Sequence, residues 1–312
     1  MASHPSFSIV APVYGVERYI ANCADSLLGQ TYDNIQFIFV NDGTKDASIG
    51  LLEKLIDEKY SFLKDRIVIV NKHNEGLPAA RRTGMEYVTG DYVLHVDSDD
   101  WVEKDMVAKI AAKAVETECD VIYFDFYKEY SSRSKHDREK DYTVDSKMKF
   151  IWGLFNYKAY GYVWNKCVKR SVYEKNDIRF PSYGMHEDIY LMAQLLYCAD
   201  SIVHLSEALY HYRRDNPGSI SAAKTKNRRR DSAMNMMDLY ERYRNDLYNS
   251  PIRDSYGEIL LRTGWLSIRY GFGFFEKYPY LAESIRKQPL SFRNKTFILW
   301  QLITKIYAMI KR

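Results

Sequence analysis

Four short apolar runs in the first hundred residues, each followed by an amphipathic stretch, constrain the fold of this chain more than any other feature. Phe7-Ser8-Ile9-Val10-Ala11, Ile35 to Val40, Ile67-Val68-Ile69-Val70 and Tyr92 to Val96 read as buried strands. The intervening stretches have helical spacing: Ile20, Ala24, Leu27 and Leu28; then Ile49, Leu52, Leu55 and Ile56; then Pro78 to Val88; then Met106, Ile110 and Val115. Short β–α units in this order predict a Rossmann-like, mostly parallel sheet with helices on both faces. Ligands of such sheets gather beyond the carboxyl ends of the strands. Tyr14, Asp42, Asn74 and the pair Asp97/Asp99 each lie just after a strand, so they are expected to converge on one cleft.

Further on, Asp120 to Tyr127 reads as a strand and Lys128 to Tyr142 as a polar surface excursion. A helix starts near Glu187 and a strand covers Ile202 to Tyr210. The alternation stops after Ser221, and Lys224 to Arg312 reads as helices throughout, which divides the chain into residues 1–221 and 222–312. Lys224 to Arg312 holds 18 Lys/Arg against 8 Asp/Glu, a net of +10, whereas the whole chain carries +4. The rest therefore carries −6 by difference. A basic tail on an acidic body suits a partner surface of negative charge. No helix-turn-helix, zinc-finger or RRM signature supports nucleic acid as that partner.

Cys23, Cys119, Cys167 and Cys198 form no CxxC pair and no zinc spacing, which suits a reducing cytoplasm. Met1 to Ser6 contains no charged segment followed by an apolar one, so a signal peptide is not expected. No uninterrupted apolar window of about 18 residues predicts a membrane-spanning helix.

The fourth strand ends in Asp97-Ser98-Asp99-Asp100-Trp101. Alternate residues of a strand point to the same side, so Asp97 and Asp99 project together and repel unless a cation lies between them. Hard oxygen ligands favour Mg²⁺ or Mn²⁺, which in turn favour phosphate oxygens. The plainer reading is an acidic turn in which Asp100 caps a helix starting near Glu103.

Other candidates carry paired readings as well. Asn41-Asp42-Gly43 is either a turn or a carboxylate that accepts an imide N–H, the group that marks uracil. Tyr14 either packs or stacks on a base, and Pro12 ends its strand. Arg81 suits a diphosphate through its planar fork, although a surface arginine on a helix commonly has no specific partner. Glu187 and Asp188 complement a helix N-terminus, and an Asp188 facing the cleft could act as a base. No P-loop, GxGxxG, GxSxG or HExxH motif is present. Asn41-Asp42-Gly43-Thr44 approaches the DxDGT of haloacid dehalogenase phosphatases, but Val40 would occupy the nucleophile position.

In series, these residues resemble family 2 of the inverting glycosyltransferases, of GT-A fold. The likeness covers residues 6–220: Ser8-Ile9-Val10-Ala11-Pro12-Val13-Tyr14, Gln30-Thr31-Tyr32, Phe39-Val40-Asn41-Asp42-Gly43-Thr44, then Asn74, Gly76, Ala80, Arg81 and Gly84. Asp97-Ser98-Asp99-Asp100-Trp101, Trp164-Asn165-Lys166, Glu187-Asp188 and Tyr210-His211-Tyr212-Arg213 follow in order. Pro78, Arg82 and Gly15 depart from the residues common at their positions.

The resemblance implies a GT-A domain over 1–221 with a C-terminal helical extension. It implies transfer of a sugar from a nucleotide diphosphate donor, a UDP-sugar, to a carbohydrate hydroxyl on an acceptor that is often lipid-linked. Capsular polysaccharide or lipopolysaccharide synthesis is the expected setting, cytoplasmic and peripheral on the inner face of the membrane. Pro12, Tyr14, Asp42, Asn74, Arg81, Asp97 and Ser98 are expected at the nucleotide. Asp99, with Asp97, is expected at Mn²⁺ or Mg²⁺, and Asp188 as general base. Two rivals are a catalytically silent GT-A-like scaffold, against which Asp97, Asp99 and Asp188 speak, and a nucleotidyltransferase, which lacks its Gly-rich loop here.

Two further expectations concern the C-terminal half. Arg213-Arg214-Asp215-Asn216-Pro217-Gly218-Ser219 has a turn's composition and suits either a surface turn or a lid whose Arg213 reaches the diphosphate. In Lys295 to Arg312, Ile298, Leu302, Ile306 and Met309/Ile310 share one face, with Gln301, Thr304, Lys305 and Lys311 opposite, and the stretch also carries the aromatics Phe297, Trp300 and Tyr307. That pattern suits an anionic membrane surface, or equally an ordinary packing helix.

Overall fold

The two faces of one strand open two different cores. In β1 (Phe7–Val13), Phe7, Ile9, Ala11 and Val13 join a large cluster, while Val10 points the other way with Ile38, Val40, Val70 and Val93. This computed structural model describes residues 4–142, 147–155, 158–182, 184, 186–216 and 218, with 231, 234–236, 238, 239, 242 and 243. The chain divides into two compact units, residues 1–225 and 226–312. In the second unit the described residues are helical. The expected helices beyond 243, among them the amphipathic stretch 295–312, lie outside the described residues.

In the first unit β1 is followed by α1 (Ile20–Leu28), β2 (Ile35–Asn41), α2 (Ser48–Lys59), β3 (Ile67–Asn71), α3 (Leu77–Met85) and β4 (Tyr92–His95). Then come β5 (Trp101–Val102), α4 (Met106–Thr117), β6 (Val121–Tyr130), β7 (Arg133–Asp137), α5 (Lys147–Phe155), β8 (Lys166–Lys169), α6 (Arg170–Glu174), α7 (Glu187–Cys198) and β9 (Ile202–Arg213). The sheet has nine strands in the order β3-β2-β1-β4-β8-β6-β9-β5, with β7 beside β6. β1 to β4 are parallel to one another, β8 runs against both β4 and β6, and β9 runs parallel to β6.

This topology positions the site. The carboxyl ends of β1 to β4, β6 and β9 share one edge of the sheet. Because β8 is antiparallel, its beginning lies at that same edge, and so do Trp164 and Asn165 just before it.

The periodicity explains the layers. Cys23, Ala24, Leu27 and Leu28 of α1, Leu52 and Ile56 of α2, and Met106, Val107, Ile110 and Ala114 of α4 bury one stripe each in the large core. Each Leu, Ile, Val or Met among them contributes about 1.5–3 kcal/mol on burial. On the opposite face α3 lies so close to β1 that a Cβ on Gly84 would meet Val10 Cγ1 at 2.4 Å. Only glycine permits that approach. Cys23, Cys119, Cys167 and Cys198 are all free thiols. Among the described residues no helix is long and apolar enough to cross a membrane.

One polar stretch is more ordered than expected. Lys128 to Tyr142 lies at the surface, exposed throughout 130–136, yet it completes β6, turns back as β7, and then buries Asp137, Glu139 and Tyr142. Asp137 pairs with Lys128 and with Lys135 and accepts from the Tyr160 hydroxyl, while Glu139 N–H donates to buried Asp125.

Candidate active site

Asp42 follows β2 and is almost fully buried. Its Oδ1 accepts from Lys72 Nζ (2.9 Å) and Glu75 N–H (3.0 Å), and its Oδ2 from Gly76 N–H (2.8 Å). The carboxylate thus holds the entry to α3, where the positive end of the helix favours an anion. Gly43, at φ 69°, presses against this loop: a Cβ there would lie 2.9 Å from Asn74 N. Asn74 is exposed on the loop, and Tyr14 is 54% exposed at the end of β1. Pro12 remains within β1, which runs one residue beyond it, and its carbonyl accepts from the buried Ser98 hydroxyl at 2.6 Å.

Arg81 on α3 is 2% exposed and reaches two carboxylates. Nη2 donates to Asp97 Oδ1 and Nη1 to Asp188 Oδ1, each at 2.7 Å, with Glu187 Oε1 3.8 Å away. Arg81 Nε is buried without a partner. Such an orphan costs about 1–3 kcal/mol, which the two charged bonds offset. One guanidinium therefore ties the start of α7 to the end of β4. Burial pushes the Asp188 carboxyl above its ordinary range while Arg81 opposes it. Burial and the charge of Asp188 push Glu187 up as well. Lys166 is fully buried and donates to the Tyr160 carbonyl at 2.8 Å; burial lowers its amine to about 8, against Glu139 and Asp188.

The three acidic residues after β4 have separate environments. Asp100 caps no helix: α4 starts only at Met106, and Asp100 is buried, accepting from the Tyr210 hydroxyl (2.8 Å) and Arg213 N–H (2.7 Å). The same Tyr210 hydroxyl accepts from Asp97 N–H at 3.1 Å. Asp99 Oδ2 accepts from Asn216 Nδ2 at 2.8 Å, and burial together with the Asp97 charge raises its carboxyl. Arg213 lies between the rings of Tyr19 (4.8 Å) and Trp101 (4.7 Å) and donates from Nε to the Asp99 carbonyl at 2.9 Å. It supports the acidic turn from beneath.

Asp97 and Asp99 repel, and each has one carboxylate oxygen not used in the bonds above. Among the described residues no three His, Cys, Asp or Glu side chains gather into a cage. Mg²⁺-like ions, however, are commonly held by one or two carboxylates together with substrate phosphates. This donor set fits such an ion.

A profile of glycosyl transferase family 2 matches residues 8–176, more than half of the chain and every element named so far up to α6. The chain belongs to glycosyl transferase family 2. EpsH of Bacillus subtilis (strain 168) is 34% identical over 215 residues, which cover 67% of this chain and 61% of EpsH. The chain thus spans less than two thirds of that relative. Among solved structures, S. aureus TarS (residues 1–349) in complex with UDP-GlcNAc superimposes with a TM-score of 0.64 at 19% identity, covering 88% of this chain and 76% of TarS. A mannosyltransferase from Pyrobaculum calidifontis, in complex with GDP-Man and Mn²⁺, gives 0.54 at 12% identity, covering 97% and 81%. At such identities the likeness speaks to the fold, which is the α/β architecture expected from the alternation.

This family 2 chain brings Arg81, Asp97 and Asp188 into direct contact and sets Asp42 against the loop that carries Asn74. Reading the sequence missed Lys72 as the counter-ion of Asp42, Tyr210 as the support of Asp97 and Asp100, and Asn216 as the partner of Asp99. Lys72 had a local signal, since it directly follows β3. The other two had none, because β9 meets β4 only through the fold.

Proposed function

We propose that the protein is a metal-assisted, inverting glycosyltransferase that moves a sugar from a nucleotide diphosphate donor, a UDP-sugar, to a carbohydrate hydroxyl. The observation that carries this reading is the Arg81 bridge, which sets a candidate base, Asp188, beside the carboxylates after β4. Asp42 and the Asn74 loop serve the base and ribose end of the donor. Asp99, with Asp97, would hold Mn²⁺ or Mg²⁺. A bound divalent ion supplies charge that offsets the charge developing on the departing diphosphate.

Asp188 Oδ1 is engaged by Arg81, so Oδ2 accepts the proton of the acceptor hydroxyl. The hydroxyl oxygen then forms its bond to the anomeric carbon as the bond from that carbon to the diphosphate oxygen breaks on the opposite side. Attack from the opposite face inverts the centre in a single displacement. Family membership and the neighbours' complexes with UDP-GlcNAc and GDP-Man support a nucleotide-sugar donor.

Thermal stability measured with UDP, GDP, CDP and ADP, each with and without Mn²⁺, tests the reading. Ligand at about 100 times its dissociation constant adds roughly 2.7 kcal/mol. A Mn²⁺-dependent gain with UDP alone is expected. A gain with another nucleotide would revise the donor. No gain with any of them would favour a silent binding module.

A further inference from the structure

Alternate residues of β9 divide its end into two faces. His211 and Arg213 turn toward Trp101, while Tyr210, Tyr212 and Arg214 occupy the other face. There Tyr210 stacks on Trp164 (4.3 Å, 14°), Trp164 on Tyr162 (4.5 Å, 13°), and Tyr162 on Tyr160 (5.5 Å, 12°). Tyr212 closes against both Tyr162 (5.5 Å) and Trp164 (5.2 Å). The rings form a rigid wall between the acidic turn, held by the Tyr210 hydroxyl, and the outer rim.

Arg214 stands on that rim. It is exposed, lies 5.0 Å over the Tyr212 ring, and donates from Nη1 to the Tyr212 hydroxyl at 2.9 Å. Among the described residues no carboxylate pairs with it. The acids next to it are already engaged: Glu129, whose carbonyl accepts from Arg214 N–H, with His211 and Ser134, and Asp215 with Ser131 and Arg213. Tyr162 stands between this cation and the candidate base, because Gly161 just before it packs against Ile189 just after Asp188: a Cβ on Gly161 would lie 2.5 Å from Ile189 Cγ1 and 3.4 Å from its Cα. Burial holds its hydroxyl well above the usual range; the charge of Asp188 pushes the same way and that of Arg214 opposes it. The Tyr162 hydroxyl itself makes no hydrogen bond to any described residue.

We propose that Arg214 and the Tyr162 hydroxyl form an acceptor subsite beside Asp188, and that this subsite selects a sugar bearing an anionic group. A solvent-facing guanidinium without an acid, backed by aromatic rings, binds phosphate or carboxylate in its fork. The free phenol hydroxyl supplies a further donor or acceptor for the sugar. Neighbouring Arg213 is committed beneath the acidic turn, so the two arginines divide support and recognition between them. This inference rests on the transferase reading of Asp188.

The test uses the full chain saturated with UDP and Mn²⁺ and titrated with glucose 6-phosphate, glucuronic acid or methyl glucoside. At low salt the two anionic probes are expected to bind at least tenfold more tightly than the neutral one, with the advantage shrinking as salt rises. Their relative order separates a phosphate from a carboxylate preference. Arg214→Gln should abolish the advantage without altering UDP–Mn²⁺ affinity, Arg214→Lys should restore much of it, and Tyr162→Phe should weaken all three probes severalfold. Equal binding of the three probes to the unaltered protein would overturn the proposal. So would weakened UDP binding in Arg214→Gln, which would place Arg214 at the donor instead. If UDP itself did not bind, the transferase reading would fall first.

Discussion

Arg81 and Asp188, 107 residues apart in the chain, meet through a 2.7 Å charge-assisted hydrogen bond in which Arg81 Nη1 donates to Asp188 Oδ1. The other terminal nitrogen of the same guanidinium is spent on Asp97. Arg81 was expected at a diphosphate; in the protein it is the brace between a candidate base and a candidate metal ligand. The planar fork gives each carboxylate its own nitrogen in a fixed geometry that the single ammonium of a lysine does not reproduce.

Arg81→Lys is therefore expected to lower kcat by about 10²-fold, the scale of a misplaced catalytic group. Arg81→Gln should also move the acid limb of the kcat–pH profile to higher pH. The sign follows because Arg81 stabilises the ionised Asp188 carboxylate, so its loss raises the pH at which the base becomes ionised. An acid limb that stays in place would separate Asp188 from the rate.

Asp99 carries a repulsion that a cation would relieve. Asp99→Asn should raise the thermal stability of the metal-free protein, since burial and the Asp97 charge both disfavour its carboxylate. The same substitution should abolish the Mn²⁺-dependent part of the stabilisation by UDP. Retention of that part in calorimetry would assign the ion to other ligands.

His95 gives the fold an acid sensitivity. It is 2% exposed in β4, and burial together with the nearby Arg81 charge lowers its imidazole to about 3 from 6.5. The folded state therefore resists a proton that the unfolded chain accepts below pH 6.5. Stability is unaffected above that pH and falls as pH drops toward 3, by about 2 kcal/mol at pH 5 from this group. Urea unfolding of His95→Leu should show a flatter acid limb than the unaltered protein. Parallel pH profiles for the two proteins would rule this group out.

Gly43→Ala tests the loop that Asp42 organises. The left-handed φ of 69° and the 2.9 Å approach to Asn74 N leave no room for a methyl group. A loss of about 1–3 kcal/mol in urea unfolding is expected. UDP affinity should fall with it, because the displaced segment carries Asn74, Glu75 and Gly76. Unchanged UDP affinity alongside lost stability would place this loop away from the nucleotide.

The repeating period of the first hundred residues was enough to read the parallel half of the sheet. Each strand of β1 to β4 is a short, mainly apolar run, and each helix between them shows one buried stripe. The second half was less legible. β5 has two residues and β8 four, too few to display a period. β7 is polar because four of its five residues face solvent, so it shows no apolar alternation.

The chain's local order settles which residues follow the strands, and parallel strands must deliver Asp42, Asn74, Asp97 and Asp99 to one edge. That much was written in the sequence, because the carboxyl ends of parallel strands coincide. What each side chain then touches was decided only by the tertiary structure. The guanidinium of Arg81 bridges β4 and α7, Asn216 meets Asp99, and Arg213 and Arg214 take opposite faces of β9. Such contacts join segments up to 117 residues apart, and hydrogen-bond geometry across that distance leaves no local pattern to read.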